Sequence, residues 1–123
     1  RNKIYQLNPN TRLDMSELYK SCDLLLFPSL YEGYGIPCIE AMKCGLPVIS
    51  SNRGSLKEIV NKKNFFKLNN EKEIIQHIDK VLTNKKFFRL NKKISISQSK
   101  KFKEKDYYLN ILKKYYRIIN ENK

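Results

Sequence analysis

Residues 24–51 constrain this chain more than any other stretch, because they fix an order of elements. Leu24-Leu25-Leu26-Phe27 is an unbroken apolar run, the pattern of a parallel strand covered on both faces. Pro28 stops the run, since proline has no N–H to give a ladder. A loop holding Gly33, Gly35 and Pro37 follows. Two glycines two apart let the backbone approach a ligand closely, with bare N–H groups facing it. Pro37 has a preset φ and suits the first position of a helix. Cys38 to Lys43 continue that helix, and Gly45 is placed to end it. Val48-Ile49 then starts a second buried strand.

The order strand, loop, helix, strand sets a glycine-rich turn at a helix N-terminus. Such a place binds phosphate through unpaired N–H groups and the positive end of the helix dipole. Two carboxylates flank it: Glu32 just before the glycines, and Glu40, read here as lying in the first helical turn. A carboxylate can grip a vicinal diol with both oxygens. A phosphate cradle beside such acids suits a nucleotide sugar, which carries a diphosphate, a ribose and a hexose. Taken singly, each residue also has an ordinary reading. Glu40 could simply favour the helix dipole, and the glycines could be turn residues. The whole string in order is what carries weight.

That string resembles the donor-binding signature of retaining glycosyltransferases of the GT-B fold, family 4 (group 1). The matching residues are Glu32, Gly33-Tyr34-Gly35-Ile36-Pro37, Glu40-Ala41-Met42, Gly45 and Pro47-Val48-Ile49. The resemblance implies that Glu32 contacts the donor sugar near the reacting carbon and is the residue closest to catalysis. It implies that backbone amides of Gly33, Tyr34, Gly35 and Ile36 meet the diphosphate, and that Glu40 holds the ribose hydroxyls. No metal and no cofactor is expected, the nucleotide-diphosphate sugar being a substrate. Further on, the family often shows Gly-Gly-x-x-Glu; this chain has Gly54-Ser55-Leu56-Lys57-Glu58, with Lys57 where proline is common.

The rest of the chain reads as capped helices and short strands. Ile4 to Leu7 is a strand candidate, and residues 8–12 a loop. Asp14 with Glu17 makes a capping box for a helix to Ser21, whose inner face is marked by Leu18 and Cys22. Ser55 with Glu58 makes a second box, opening a short helix to Val60. Phe65 to Leu68 is a weak edge strand. Asn70 and Glu73 cap a helix over 71–83, with Ile74, Ile75, Ile78, Val81 and Leu82 on one face and His77 at the surface. A helix over about 85–98 follows, then a last one to about Asn120 with Tyr108, Ile111, Leu112, Tyr115 and Ile119 as its stripe.

The chain has 123 residues and a formal net charge of +13, lopsidedly placed. Six basic and five acidic side chains precede Lys57; nineteen and seven follow from there on. The excess is mostly lysine on what read as solvated faces. It argues against nucleic acid as a partner and leaves a weak pull toward anionic membrane as an expectation. Cys22, Cys38 and Cys44 form no C-x-x-C pair. They read as buried thiols of a reducing cytosol, with a peripheral membrane position as the variant.

The expectation is therefore an α/β fold: a partial Rossmann-like domain with a short parallel sheet at about 4–7, 23–27, 47–50 and 65–68. Helices should lie on both faces, with a helical C-terminal tail from about residue 85. Residues 1–123 read as one truncated nucleotide-sugar-binding domain, short of the two-domain enzyme the resemblance implies and inactive without the missing N-terminal half. The expected function is donor binding for sugar transfer, with a separate acceptor-domain chain as a candidate partner. The alternative is a non-catalytic module that holds a nucleotide or a protein and transfers nothing.

Overall fold

A computed structural model describes residues 3–7 and 14–121; in the last helix the side chains of residues 104–108, 110 and 115 lie outside the description. The elements run α1 (Met15–Ser21), β1 (Leu25–Phe27), α2 (Ile36–Lys43), β2 (Val48–Ser51), α3 (Leu56–Ile59), a 3₁₀ turn (Lys62–Asn64), β3 (Phe65–Phe66), α4 (Glu71–Thr83), α5 (Lys85–Ser99) and α6 (Glu104–Glu121). The three strands form one parallel sheet in the order β1-β2-β3. Leu25 pairs with Val48, and Ser50 with Phe65. This is an α/β fold with a short parallel sheet and a helical C-terminal end, as a partial Rossmann-like domain requires.

All four residues of β2 are buried. Successive side chains on a strand point to opposite faces, so both faces of this central strand are covered. Val48 belongs to the main apolar cluster with Tyr19, Cys38, Ile39, Ala41, Met42, Leu46, Leu56, Ile59 and Val60. Ile49, on the other face, is buried outside that cluster, as are Phe66 and Val81. β1 is an edge strand, and its Leu26 is 37% exposed. The apolar run at 24–27 is thus not covered on both faces as its composition suggests.

Helix ends follow local chemistry. Asp14 accepts from the N–H groups of Ser16 and Glu17 at 2.9 and 3.2 Å, while Glu17 itself turns to Lys20 at 3.0 Å. α2 stops in a Schellman arrangement: Gly45, at φ 76°, donates to the Met42 carbonyl, and Leu46 to that of Ala41. Asn70 caps α4 through Glu73 N–H at 3.2 Å. Asn84 ends α4 and caps α5, accepting from Phe87 N–H at 3.0 Å.

Several expectations are corrected. Residues 3–7 form no strand, and Ile4 is 99% exposed; a strand needs a neighbour for its backbone groups, and the described residues offer none there. The loop expected at 8–12 lies outside the described residues. The other strands are shorter or shifted by a residue or two, reaching only as far as their pairing does. In α1 the inward residue is Tyr19, with Cys22 exposed. In α4 the inward line runs through the half-buried Ile74, His77 and Ile78 to the buried Val81, while Ile75 and Leu82 face out. His77 is therefore half-buried, and its Nδ1 has no hydrogen-bond partner among the described residues. In α5 the buried positions are Asn91, Ser95 and Ser99; small polar side chains four apart let this helix lie close against α2. Tyr108 and Tyr115 of the α6 stripe are outside the described side chains, and Ile111, Leu112 and Ile119 are exposed. Among the described residues, no helix is long and apolar enough to cross a membrane.

Candidate functional site

The loop after β1 lies at the C-terminal end of the parallel strands, the edge where open α/β sheets take their ligands. It is held to its neighbours by backbone acceptors. Ser29 Oγ donates to the Tyr31 carbonyl at 2.8 Å. The Ser29 carbonyl accepts from Ser51 Oγ, at the end of β2. Beyond β2, the turn at Gly54-Ser55 meets Glu32. Ser55 donates twice to the Glu32 carbonyl, from its N–H and from its Oγ, each at 3.1 Å. Gly54 sits at φ 51°, and a Cβ there would collide with that same carbonyl.

The Glu32 side chain folds back onto its own loop. Its Oε1 accepts from Gly35 N–H at 3.1 Å and, more distantly, from Tyr34 N–H at 3.5 Å. Gly35 is the N-cap of α2, left-handed at φ 69°. It is buried, and a Cβ on it would lie 2.9 Å from Ile59 Cδ1 and 3.2 Å from Leu56 Cδ2. Gly33 is exposed, with nothing within 4 Å of the Cβ position. Tyr34 and Ile36 flank the opening at 40% and 55% exposure. The carbonyl of Gly35 takes the N–H groups of Cys38 and Ile39, and Pro37 has none to give. The Ile36 N–H is thus the unpaired donor of the first turn among the described residues.

Glu40 is placed differently from expectation. α2 begins at Ile36, one residue before Pro37, so Glu40 is its fifth residue and the first turn carries no acid. Glu40 is exposed, and its Oε2 accepts from the hydroxyl of Tyr19 on α1 at 3.3 Å. Burial, with the Glu40 charge and hydrogen bond adding, pushes the Tyr19 hydroxyl up to about 12. Burial and then the charge of Glu32 push the Cys38 thiol up to about 12. Glu32 is therefore gathered with the amides of its loop, while Glu40 stands a turn further along α2 with a partner of its own.

In sequence, Ser55 reads as the start of a capping box with Glu58. Ser55 makes no side-chain cap, because its hydroxyl is spent on Glu32. No local spacing rule could reveal a contact 23 residues away. Next along the strand ends, an open cleft of about 370 Å³ is lined by Asn52, Arg53, Lys57, Lys67, Leu68 and Asn69, which makes this part of the edge basic.

Comparison with known proteins places the sequence in a family. Residues 1–105 match the family model described as glycosyl transferases group 1. A serotype-specific mannosyltransferase (WbdA) of Escherichia coli is 39% identical over 90 residues, 72% of this chain and 11% of that protein. An O-antigen chain mannosyltransferase B of the same organism is 49% identical over 47 residues, 38% of this chain and 12% of that protein. An MMP alpha-(1->4)-mannosyltransferase of Mycolicibacterium hassiacum is 40% identical over 47 residues, 38% of this chain and 11% of that protein. The matched stretches thus span only about a ninth of the length of these relatives. With most of its length matched by one family model, and the glycine loop lying inside that match, the chain belongs to the group 1 glycosyltransferases.

Proposed function

We propose that this chain is the donor-side segment of a glycosyltransferase, binding a nucleotide-diphosphate sugar for transfer of the sugar to an acceptor. The observation that carries the reading is the set Glu32, Gly35 and Ile36. It puts one carboxylate and backbone N–H donors together at the strand-end edge, where a helix begins. An arriving diphosphate would take the Gly33–Ile36 amides, and the Arg53, Lys57 and Lys67 cleft lends that edge positive charge. Displaced from Gly35, the Glu32 carboxylate would be free to meet a hydroxyl of the donor sugar. Glu40, loosely held by Tyr19, would take the ribose hydroxyls. Fixed N–H donors stabilise a departing diphosphate without reorganising, which is how such a site lowers a barrier. The named relatives are mannosyltransferases, so a hexose donor, mannose first, is the substrate class to try.

The test is a titration of the isotope-labelled chain with a panel of UDP- and GDP-hexoses, following backbone amide signals. Saturable shifts at residues 33–36 and 40 are expected. Shifts confined elsewhere, or none at millimolar donor, would sink the reading. Binding with no sugar transfer, once an acceptor domain is supplied, would favour the non-catalytic module instead.

A further inference from the structure

We propose that Ser55, with Gly54 before it, is a positioning residue for Glu32. The proposal rests on the reading of Glu32 as the acid that faces the donor sugar. Three observations point the same way. The Glu32 carbonyl accepts two hydrogen bonds, and both come from Ser55, at 3.1 Å each. Gly54 approaches that carbonyl so closely that only a residue without a Cβ fits, at a φ of 51° that suits glycine. The same segment then turns into α3, whose Leu56 and Ile59 side chains press on Gly35. One short run, 54–59, therefore holds both ends of the Glu32–Gly35 loop: the peptide of Glu32 through hydrogen bonds, and Gly35 through packing.

The consequence is a division within one residue. With its carbonyl saturated, Glu32 has a fixed backbone, and only its side-chain torsions remain to move the carboxylate. The 3.1 Å bond from Gly35 N–H to Oε1 is then the resting position of an acid whose base point is set by Ser55. Loss of the Ser55 hydroxyl leaves one donor where there were two, and the carboxylate no longer starts from a single place. A group meant to meet one hydroxyl of a sugar needs such a support, since small displacements of a positioned group cost rate.

Amide hydrogen exchange on the chain reads this directly, because the acceptor of the Gly35 N–H is the Glu32 carboxylate. Glu32→Ala, which removes the acceptor, calibrates how much protection that bond supplies. Ser55→Ala is expected to speed Gly35 exchange several-fold, roughly 3- to 10-fold, while the amides of Val48 and Ile49 in β2 keep their wild-type rates. Ser55→Thr, which retains the hydroxyl, should restore most of the protection. Wild-type exchange at Gly35 in Ser55→Ala overturns the proposal. So does acceleration there that is matched in β2, since that reports general loosening. Insensitivity of Gly35 to Glu32→Ala overturns it as well, by removing the bond that Ser55 is said to place. Gly54→Ala adds an independent arm, expected to mimic or exceed Ser55→Ala at Gly35. The donor reading fails separately: if inorganic pyrophosphate and nucleotide sugars leave residues 33–36 unmoved while Ser55→Ala still frees Gly35, the positioning stands and the donor site does not.

Discussion

Asn64 donates an amide hydrogen to Asn91 Oδ1 at 2.8 Å, and both side chains are buried. The same Asn64 amide donates to the Val48 carbonyl at 3.0 Å, and Asn91 in turn donates to the Phe87 carbonyl at 2.9 Å. Two side chains thereby join β2, the 3₁₀ turn and α5. A buried polar pair of this kind is costly to halve. Asn91→Ala strands the Asn64 donor and should cost about 1–3 kcal/mol, read as a lower urea midpoint. Replacing both by leucine should cost less than the sum of the two single changes. Wild-type midpoints in both single variants would show that the pair contributes nothing.

Gly33 and Gly35 should part company on substitution. Gly35→Ala forces an L side chain to φ 69° and onto Ile59, and should lose at least about 1–2 kcal/mol. Gly33→Ala meets open space and should stay within about 0.5 kcal/mol of wild type. Denaturant unfolding of the two variants side by side checks this. Equal losses would show that the loop is not built as described.

Stability should fall in alkaline solution. Cys38 rises from 9.0 and Tyr19 from 10.0, each to about 12 in the folded chain. Between those values the unfolded chain releases protons that the folded chain keeps, so rising pH favours unfolding. The contribution is complete below the unfolded values and disappears as pH climbs toward the folded ones. Tyr19→Phe should flatten the part of the profile above pH 10, and Cys38→Ala the part that begins at pH 9, when midpoints are compared across the range. Parallel profiles for wild type and both variants would refute the assignment.

The two acids should fail differently in a complete enzyme carrying this segment. On the proposed assignment, Glu40→Gln trades a charged acceptor for a neutral one at a ribose hydroxyl remote from the breaking bond. It should raise the donor requirement by about 1–2 kcal/mol and leave the rate at saturation nearly unchanged. If Glu32 faces the donor sugar as proposed, Glu32→Gln acts beside the reacting carbon and should lower that rate. Steady-state kinetics with varied nucleotide sugar separate the two, and the reverse pattern would exchange their roles.

What the chain shows of itself in sequence is what depends on neighbours in sequence. The Schellman end at Gly45, the Asp14 and Asn70 caps and the strand starting near Val48 all follow from residues within one turn of each other. The strand read at Ile4 to Leu7 failed because apolar composition does not supply a pairing partner. The inner line of α5 was invisible because Asn91, Ser95 and Ser99 look like solvent-facing residues, and only the close approach of α2 selects them. Glu32, Gly35 and the helix start were legible as a motif, whereas Ser55's grip on Glu32 was not, since it spans 23 residues.

The parallel sheet bears on how the chain acquires its shape. β1 and β2 are separated by 20 residues and β2 and β3 by 13, so no strand meets its neighbour through a tight hairpin. Every pairing waits for a long loop to close, and such topologies fold more slowly than helical bundles of similar size. α2, stopped at each end by a left-handed glycine, is a local structure that can form early. Glu32 is not so favoured: until Ser55 has followed it into place, its carbonyl has no fixed partner. A nascent chain can therefore display the whole glycine motif and still lack the site.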